Sequence, residues 1–116
     1  MAEYVDWSVN GTTYRYWFLA GSSIASNIKA DAGNYIFVKP TINGWVPLYI
    51  GIADDLSDRI PGHERWAEAV ALGATWVVAH VQPNSTKRKA EEKILIGALN
   101  PTLNTQHRRL ATLLGG

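Results

Sequence analysis

Cysteine is absent from this chain of 116 residues, so disulfide bonds and thiolate metal sites are both excluded. The chain also has no run of about 18 apolar residues, the length that a membrane-spanning helix requires. Its first residues show neither the basic start nor the apolar segment of a secretory signal. These absences predict a cytoplasmic protein with no membrane partner.

The chain also lacks a large net charge, because 11 basic and 10 acidic residues give only +1. Many nucleic-acid-binding domains are far more basic. The basic residues nevertheless cluster in the last third of the chain, at Lys87, Arg88, Lys89, Lys93, Arg108 and Arg109. The helical members of this cluster, Lys87 to Lys93, predict a face that contacts nucleic-acid phosphates, although a solvated helix face would carry the same charges.

Apolar and aromatic residues are what the chain has in quantity. Hydrophobic residues make up 47% of it and charged residues 18%, with five Trp and five Tyr. This composition is typical of a single globular domain, here residues 1–116. The rings are expected mainly in the core, and a surface on which nucleic-acid bases stack is the alternative.

Two Asn-Gly dipeptides, Asn10-Gly11 and Asn43-Gly44, each separate a pair of segments rich in β-branched and aromatic residues. Asn-Gly is the strongest short signal for a β-hairpin, because both residues readily adopt positive φ. The sequence therefore predicts two antiparallel hairpins. Their strands are expected at residues 4–9, 13–19, 34–38 and 46–52.

Helical signals follow the second hairpin. Asp54 or Asp55 can cap a short helix, Gly73 suits the end of a second helix that begins near His63, and Pro101 stops a third. An apolar strand is predicted at 75–81, the third helix at 86–99, a short helix or loop at 24–29 and a helical piece at 108–114. The fold class is therefore α/β of the α+β type, a small sheet with helices packed against it.

Glu92 is the candidate metal ligand. Cleavage of a phosphodiester is assisted by a divalent metal ion, and Mg²⁺ is often held by only one or two carboxylates. On a helix over 86–99, Glu92 shares a face with the apolar Leu95 and Ile96, so it points toward the body of the protein. A buried ion pair with Arg59 is the alternative, and periodicity does not separate Glu92 from Glu91.

The other candidate site residues have ordinary structural roles as alternatives. Arg59 presents a planar fork that matches phosphate, or it pairs with Asp55. Tyr35 and Tyr49 can transfer protons if a cation lowers their pKa, or they are core aromatics. The remaining candidates are His63, which titrates near neutral pH, and Asn104, which can hydrogen-bond across the site or hold a turn.

These residues and their spacing resemble the GIY-YIG nuclease superfamily, which includes the cleavage domain of the bacterial excision-repair nuclease. Gly33-Asn34-Tyr35-Ile36-Phe37 is similar to its first motif and Leu48-Tyr49-Ile50-Gly51 to its second. The order of the later positions also matches, and the family pattern selects Glu92 rather than Glu91. Those later positions are Arg59, His63, Glu92, Pro101 and Asn104.

The resemblance implies a three-stranded antiparallel sheet flanked by helices at residues 33–104, an N-terminal extension at 1–32 that carries the extra hairpin, and a tail at 105–116. It implies an endonuclease that cleaves DNA, RNA not being excluded, with one Mg²⁺ or Mn²⁺ on Glu92. Tyr35, helped by His63, would activate water. Tyr49 would position the reactants and Arg59 would stabilise the transition state.

Two departures from the family pattern leave alternatives open. Asn34 stands where Ile is usual, and Pro61-Gly62 lies between Arg59 and His63, so His63 can point differently from a residue on a continuous helix. A nucleic-acid-binding module without turnover is one alternative function. A protein-interaction domain that uses the aromatic N-terminal hairpin is another, and a protein partner could also supply specificity to a nuclease.

Overall fold

The computed structural model describes residues 4–19 and 29–104, which form five strands and three helices. Residues 24–28 of the element predicted at 24–29, the piece predicted at 108–114, and the basic residues Arg108 and Arg109 lie outside the described residues. In chain order the elements are β1 (Tyr4–Val9), β2 (Thr12–Phe18), β3 (Gly33–Thr41), β4 (Gly44–Ala53), α1 (Leu56–Arg59), α2 (Trp66–Ala71), β5 (Trp76–Val81) and α3 (Ser85–Leu99). None of the described helices is long and apolar enough to cross a membrane.

The strands form one antiparallel sheet in the order β1-β2-β5-β3-β4. The prediction of a three-stranded sheet is corrected to five strands. The N-terminal hairpin joins the free edge of β5, where Trp17 pairs with Ala79 and Phe18 with Val78. A hairpin of two strands is marginal by itself, and this pairing gives it a partner.

Both predicted hairpins are present, but only the first turn has the expected backbone, because the second turn is formed by Ile42 and Asn43, and Asn43 does not have positive φ. Asn10 and Gly11 have φ of 51° and 82°, and Gly44 has φ of 116°. Strand β4 is an edge strand, and its register with β3 shifts between Phe37 and Val38. Edge strands and bulges are where a proline such as Pro47 is tolerated, because its missing N–H breaks no ladder.

The sheet lies between α1 and α2 on one face and α3 on the other. Along β3, Tyr35 and Phe37 join the cluster that contains residues of α1 and α2. Ile36 and Val38 join the cluster that contains Leu95 of α3. Alternate residues of a strand point to opposite faces, so β3, an interior strand between β5 and β4, carries buried side chains on both faces.

Helix α1 begins after Asp55, one of the two predicted capping residues, and α3 begins after Asn84. The Asp55 side chain accepts the backbone N–H of Ser57 at 2.9 Å, and Asn84 accepts that of Lys87 at 3.0 Å. Helical spacing predicts Trp66, Val70 and Leu72 on the inner side of the second helix. This prediction is wrong in part, because Val70 is exposed and Ala69 is buried. Helix α2 begins at Trp66 instead of near His63.

Candidate functional site

Tyr35 lies at the centre of the candidate site, buried on the α1 and α2 face of β3. Its Oη is 2.7 Å from Nε2 of His63. Across the hairpin it pairs with Gly51, and a Cβ at residue 51 would overlap the Tyr35 hydroxyl. Glycine at 51 therefore makes the space in which the Tyr35 side chain reaches His63.

The hydrogen bonds of His63 define its tautomer. Nδ1 accepts the backbone N–H of Arg65 at 3.0 Å, and a neutral imidazole has one donor nitrogen and one acceptor nitrogen. Burial, with the charge of Arg59 second, lowers the pKa of His63 to about 4, so the ring is neutral at pH 7. Nε2–H therefore donates to the Tyr35 oxygen, and the Tyr35 proton remains free to be donated elsewhere.

Tyr49 lies beside this pair, with its ring centroid 6.3 Å from that of Tyr35 and 5.2 Å from that of His63. Burial is the main cause that raises the pKa of both phenols. The charge of Arg59 lowers both values, while Glu92 raises both. The Glu92 charge also raises the pKa of Tyr16, on the α3 face of the sheet, so its effect is not confined to these two phenols.

Arg59, the last residue of α1, forms a bidentate ion pair with Glu64. Its Nη1 and Nη2 each donate to one carboxylate oxygen at 2.9 Å. The expected alternatives, pairing with Asp55 or Glu92, are both wrong. This hydrogen-bonded pair lowers the pKa of the Glu64 carboxyl to about 2, so Glu64 stays ionised throughout the neutral range.

The two adjacent acids of α3 have different environments. Glu91 is buried, accepts a hydrogen bond from the Tyr16 hydroxyl at 2.5 Å and lies 3.3 Å from Nε2 of His80. Glu92 is partly buried and makes no side-chain hydrogen bond or ion pair with the described residues. Burial raises the pKa of Glu92. Of the two, Glu92 is therefore the carboxylate still available to an external cation.

The donor set suits one divalent ion held by one carboxylate. Among residues 4–19 and 29–104 there is no group of three or more His, Cys, Asp or Glu side chains that could hold a metal. Mg²⁺ does not require such a group, because it commonly keeps several waters beside one or two carboxylates. A partly desolvated acid without a protein partner, as Glu92 is, matches that mode of binding.

Asn104 fixes the segment after α3 to the edge strand. Its Oδ1 accepts the Ile50 N–H at 2.8 Å, and its Nδ2 donates to the Ile50 carbonyl at 3.0 Å. Asn104 also lines a cavity of about 180 Å³ together with Tyr49, Glu64 and Arg65. This geometry favours positioning over chemistry for Asn104, since Ile50 already uses both ends of the amide.

The predicted basic face of α3 is only partly exposed. Lys87, Lys89 and Lys93 are exposed, but Arg88 is buried. Its guanidinium donates to the carbonyls of Gln82 and Pro83 and to the Asp54 carboxylate, at 3.0, 3.1 and 2.8 Å. The prediction that Arg88 contacts nucleic acid is therefore corrected, and Arg88 ties α3 to the preceding loop and to the end of β4.

Glu64 and Arg65 were missed by the sequence reasoning. Arg65 donates to the Leu103 carbonyl at 3.2 Å, and its guanidinium carbon lies 5.9 Å from the Tyr49 ring centroid. Glu64 pairs with a residue five positions earlier, a spacing that helical periodicity does not signal. The sequence feature that could have pointed to Glu64 and Arg65 is that both are charged and directly follow the candidate residue His63.

Comparison with protein-family models, curated proteins and solved structures finds no match to this chain. Assignment to the GIY-YIG superfamily therefore remains a proposal that rests on the motif residues and on their arrangement.

Proposed function

We propose that this protein is a metal-dependent endonuclease of the GIY-YIG type, which hydrolyses DNA phosphodiester bonds. The observation that carries the proposal is the Tyr35–His63 hydrogen bond, set among Tyr49, the Arg59 charge and the Glu92 carboxylate. These groups come from β3, β4, α1, the loop before α2, and α3, so their convergence supports a shared chemical role.

Each of these residues has a task in hydrolysis. Tyr35 first releases its proton to solvent. The oxygen of the attacking water then bonds to phosphorus while its proton passes to the Tyr35 phenolate, and the departing oxygen leaves with the electron pair of the broken P–O bond and takes a proton from solvent. The His63 N–H stabilises that phenolate. Arg59 binds the extra negative charge on the phosphoryl oxygens, while Tyr49 and Asn104 hold the geometry.

Glu92 would hold the divalent metal ion, Mg²⁺ or Mn²⁺. When bound, the ion supplies positive charge that stabilises the transition state and lowers the pKa of nearby water and phenols. Without the ion, the Glu92 charge and burial both keep Tyr35 protonated, since both raise its pKa. Activity should therefore depend strictly on a divalent ion.

Nicking of supercoiled plasmid DNA tests the proposal. The wild-type protein should nick the plasmid with Mg²⁺ or Mn²⁺ and not with EDTA. Tyr35→Phe, Arg59→Gln and Glu92→Gln should each lose the activity, while Asp58→Asn, a change at an exposed acid of α1, should retain it. Equal nicking by wild type and Glu92→Gln over a wide enzyme range would contradict the proposal.

A DNA-binding module without turnover is the second candidate. Two observations favour it: burial raises the pKa of both phenols, and Arg59 is already paired with Glu64. Binding that weakens with salt, with no cleavage under any divalent metal, would select this function. Cleavage with Mg²⁺ or Mn²⁺ would reject it.

A further inference from the structure

We propose that the Glu64 carboxylate occupies the phosphate-binding position of Arg59 in the free protein, and that the DNA phosphate binds by displacing it. This inference rests on the proposed function, because it specifies how the same site admits its substrate. Glu64 then acts as a built-in competitor that sets how tightly DNA binds.

The geometry of the ion pair is the first support. Two parallel N–H···O bonds of 2.9 Å join the Nη atoms of Arg59 to the two oxygens of Glu64. A phosphate binds arginine through the same two-pronged contact. Carboxylate and phosphate therefore compete for one edge of the guanidinium, and both cannot hold it bidentately together.

The local backbone explains why Glu64 returns to Arg59. Gly62, with φ of 71°, forms a turn directly after α1. The His63 N–H donates to the Ile60 carbonyl at 3.1 Å, which closes that turn. The chain thus reverses between Arg59 and Glu64. The Pro61-Gly62 departure from the family pattern is what makes this contact possible.

Exposure makes displacement feasible. The Glu64 side chain is 66% exposed and that of Arg59 is 38% exposed. An exposed ion pair contributes little to stability, so Glu64 can turn into solvent at small cost while Arg59 stays near the phenols. A buried pair would not exchange partners so readily.

The position of Glu64 adds a second effect. Glu64 lines the cavity of about 180 Å³ with Tyr49, Arg65 and Asn104. Its negative charge raises the pKa of both Tyr35 and Tyr49. Displacement of Glu64 therefore frees the arginine and opens this cavity, while the incoming phosphate brings its own negative charge to the same position.

The test is a fluorescence anisotropy titration of labelled duplex DNA in EDTA, so that binding is measured without cleavage. Glu64→Gln should tighten binding by about threefold to tenfold, because only a weak exposed pair must be broken in the wild type. Glu68→Gln, at an exposed acid of α2 that pairs with Arg65 at 3.5 Å, controls both for net charge and for the loss of an exposed ion pair, and it should tighten binding by no more than about twofold.

Two further variants separate geometry from charge. Glu64→Asp keeps the charge but is one methylene shorter, so it should tighten binding to an intermediate degree. Adding Arg59→Gln to Glu64→Gln should abolish the gain, because the freed guanidinium is then absent. If Glu64→Gln binds DNA like Glu68→Gln or more weakly, Glu64 merely positions Arg59 and the displacement proposal is wrong.

The readouts also separate this inference from the proposed nuclease function. Tighter binding by Glu64→Gln without cleavage by any form of the protein would support displacement and reject the nuclease. Metal-dependent nicking by the wild type, with equal DNA affinity for Glu64→Gln and Glu68→Gln, would support the nuclease and reject displacement.

Discussion

The hydroxyl of Tyr35 lies where the Cβ of residue 51 would be if Gly51 were any other amino acid. The two residues face each other across β3 and β4, and the missing side chain of one makes room for the functional group of the other. The glycine of the second motif therefore has a physical task, which is to let Tyr35 reach His63.

Gly51→Ala should displace the Tyr35 hydroxyl and break its hydrogen bond to His63. Overpacking of this kind typically costs about 1–3 kcal/mol of unfolding free energy, and nicking should fall far more than stability does. Gly97→Ala is the matched control, because a Cβ there meets nothing within 4 Å. It should retain activity and stabilise α3 by up to about 1 kcal/mol. Urea unfolding and plasmid nicking measure both effects, and normal nicking by Gly51→Ala would refute the space-making role.

The two neighbouring acids of α3 should separate stability from activity. Glu91→Gln perturbs a buried hydrogen bond from Tyr16 and a contact with His80, so it should cost about 1–3 kcal/mol of unfolding free energy. Glu92→Gln removes a partly desolvated charge that no described residue balances, so it should leave stability equal or slightly higher while abolishing nicking. The reverse pattern in unfolding and nicking assays would assign the metal to Glu91.

Acidification should destabilise the protein through His63. Its pKa is about 4 in the folded protein, against 6.5 for the ordinary group, so between these values the unfolded chain binds a proton that the folded one does not. Stability therefore falls as pH drops through that window, by about 2 kcal/mol between pH 7.5 and 5. Urea unfolding of His63→Gln should show a smaller loss over the same range.

His80 should change the pH dependence of stability in the opposite direction to His63. Its hydrogen bond with Glu91 raises the pKa of His80 above 6.5, so its contribution is fully present below pH 6.5 and is lost as pH rises through the folded value. His80→Gln should therefore lose more stability than the wild type on acidification from pH 7.5. Identical pH dependence in wild type, His63→Gln and His80→Gln would contradict both assignments.

The N-terminal hairpin should be indispensable for folding, because its inward face completes the core around α3. Trp7 is 8% exposed and packs in the core cluster that contains Leu95 of α3, whereas Trp17 is 47% exposed. Trp7→Ala should cost about 3–5 kcal/mol, and Trp17→Ala should cost less than about 1.5 kcal/mol. Thermal unfolding of the two variants measures this. Equal losses would mean that the hairpin is not an integral part of the domain.

Local signals made much of the fold predictable. Asn10-Gly11, the Asp55 cap and Pro101 act through neighbouring residues, so the hairpin, the start of α1 and the end of α3 were found from the sequence. The attachment of β2 to β5, through Trp17 and Ala79, is a non-local pairing with no local signal. The hairpin itself was therefore predicted, but its attachment to the three-stranded sheet was left open.

The site was less predictable for related reasons. Adjacent helical residues differ by about 100° around the axis. The apolar pattern of α3 therefore did not predict that Glu91 is buried while Glu92 is only partly buried. The Arg59–Glu64 pair depends on a turn at Gly62, which brings together residues that helical spacing would keep apart. Positions fixed by the family pattern were thus proposed from sequence, whereas their charge partners required the structure.

A manganese soak of crystals, followed by an anomalous difference map, tests the central claim most directly. The account predicts one strong peak bonded to the Glu92 carboxylate on the side that faces Tyr35 and Arg59, and loss of that peak in Glu92→Gln. A protein that nicks DNA with Mn²⁺ but binds the ion beside Glu91, or anywhere away from Glu92, would contradict it.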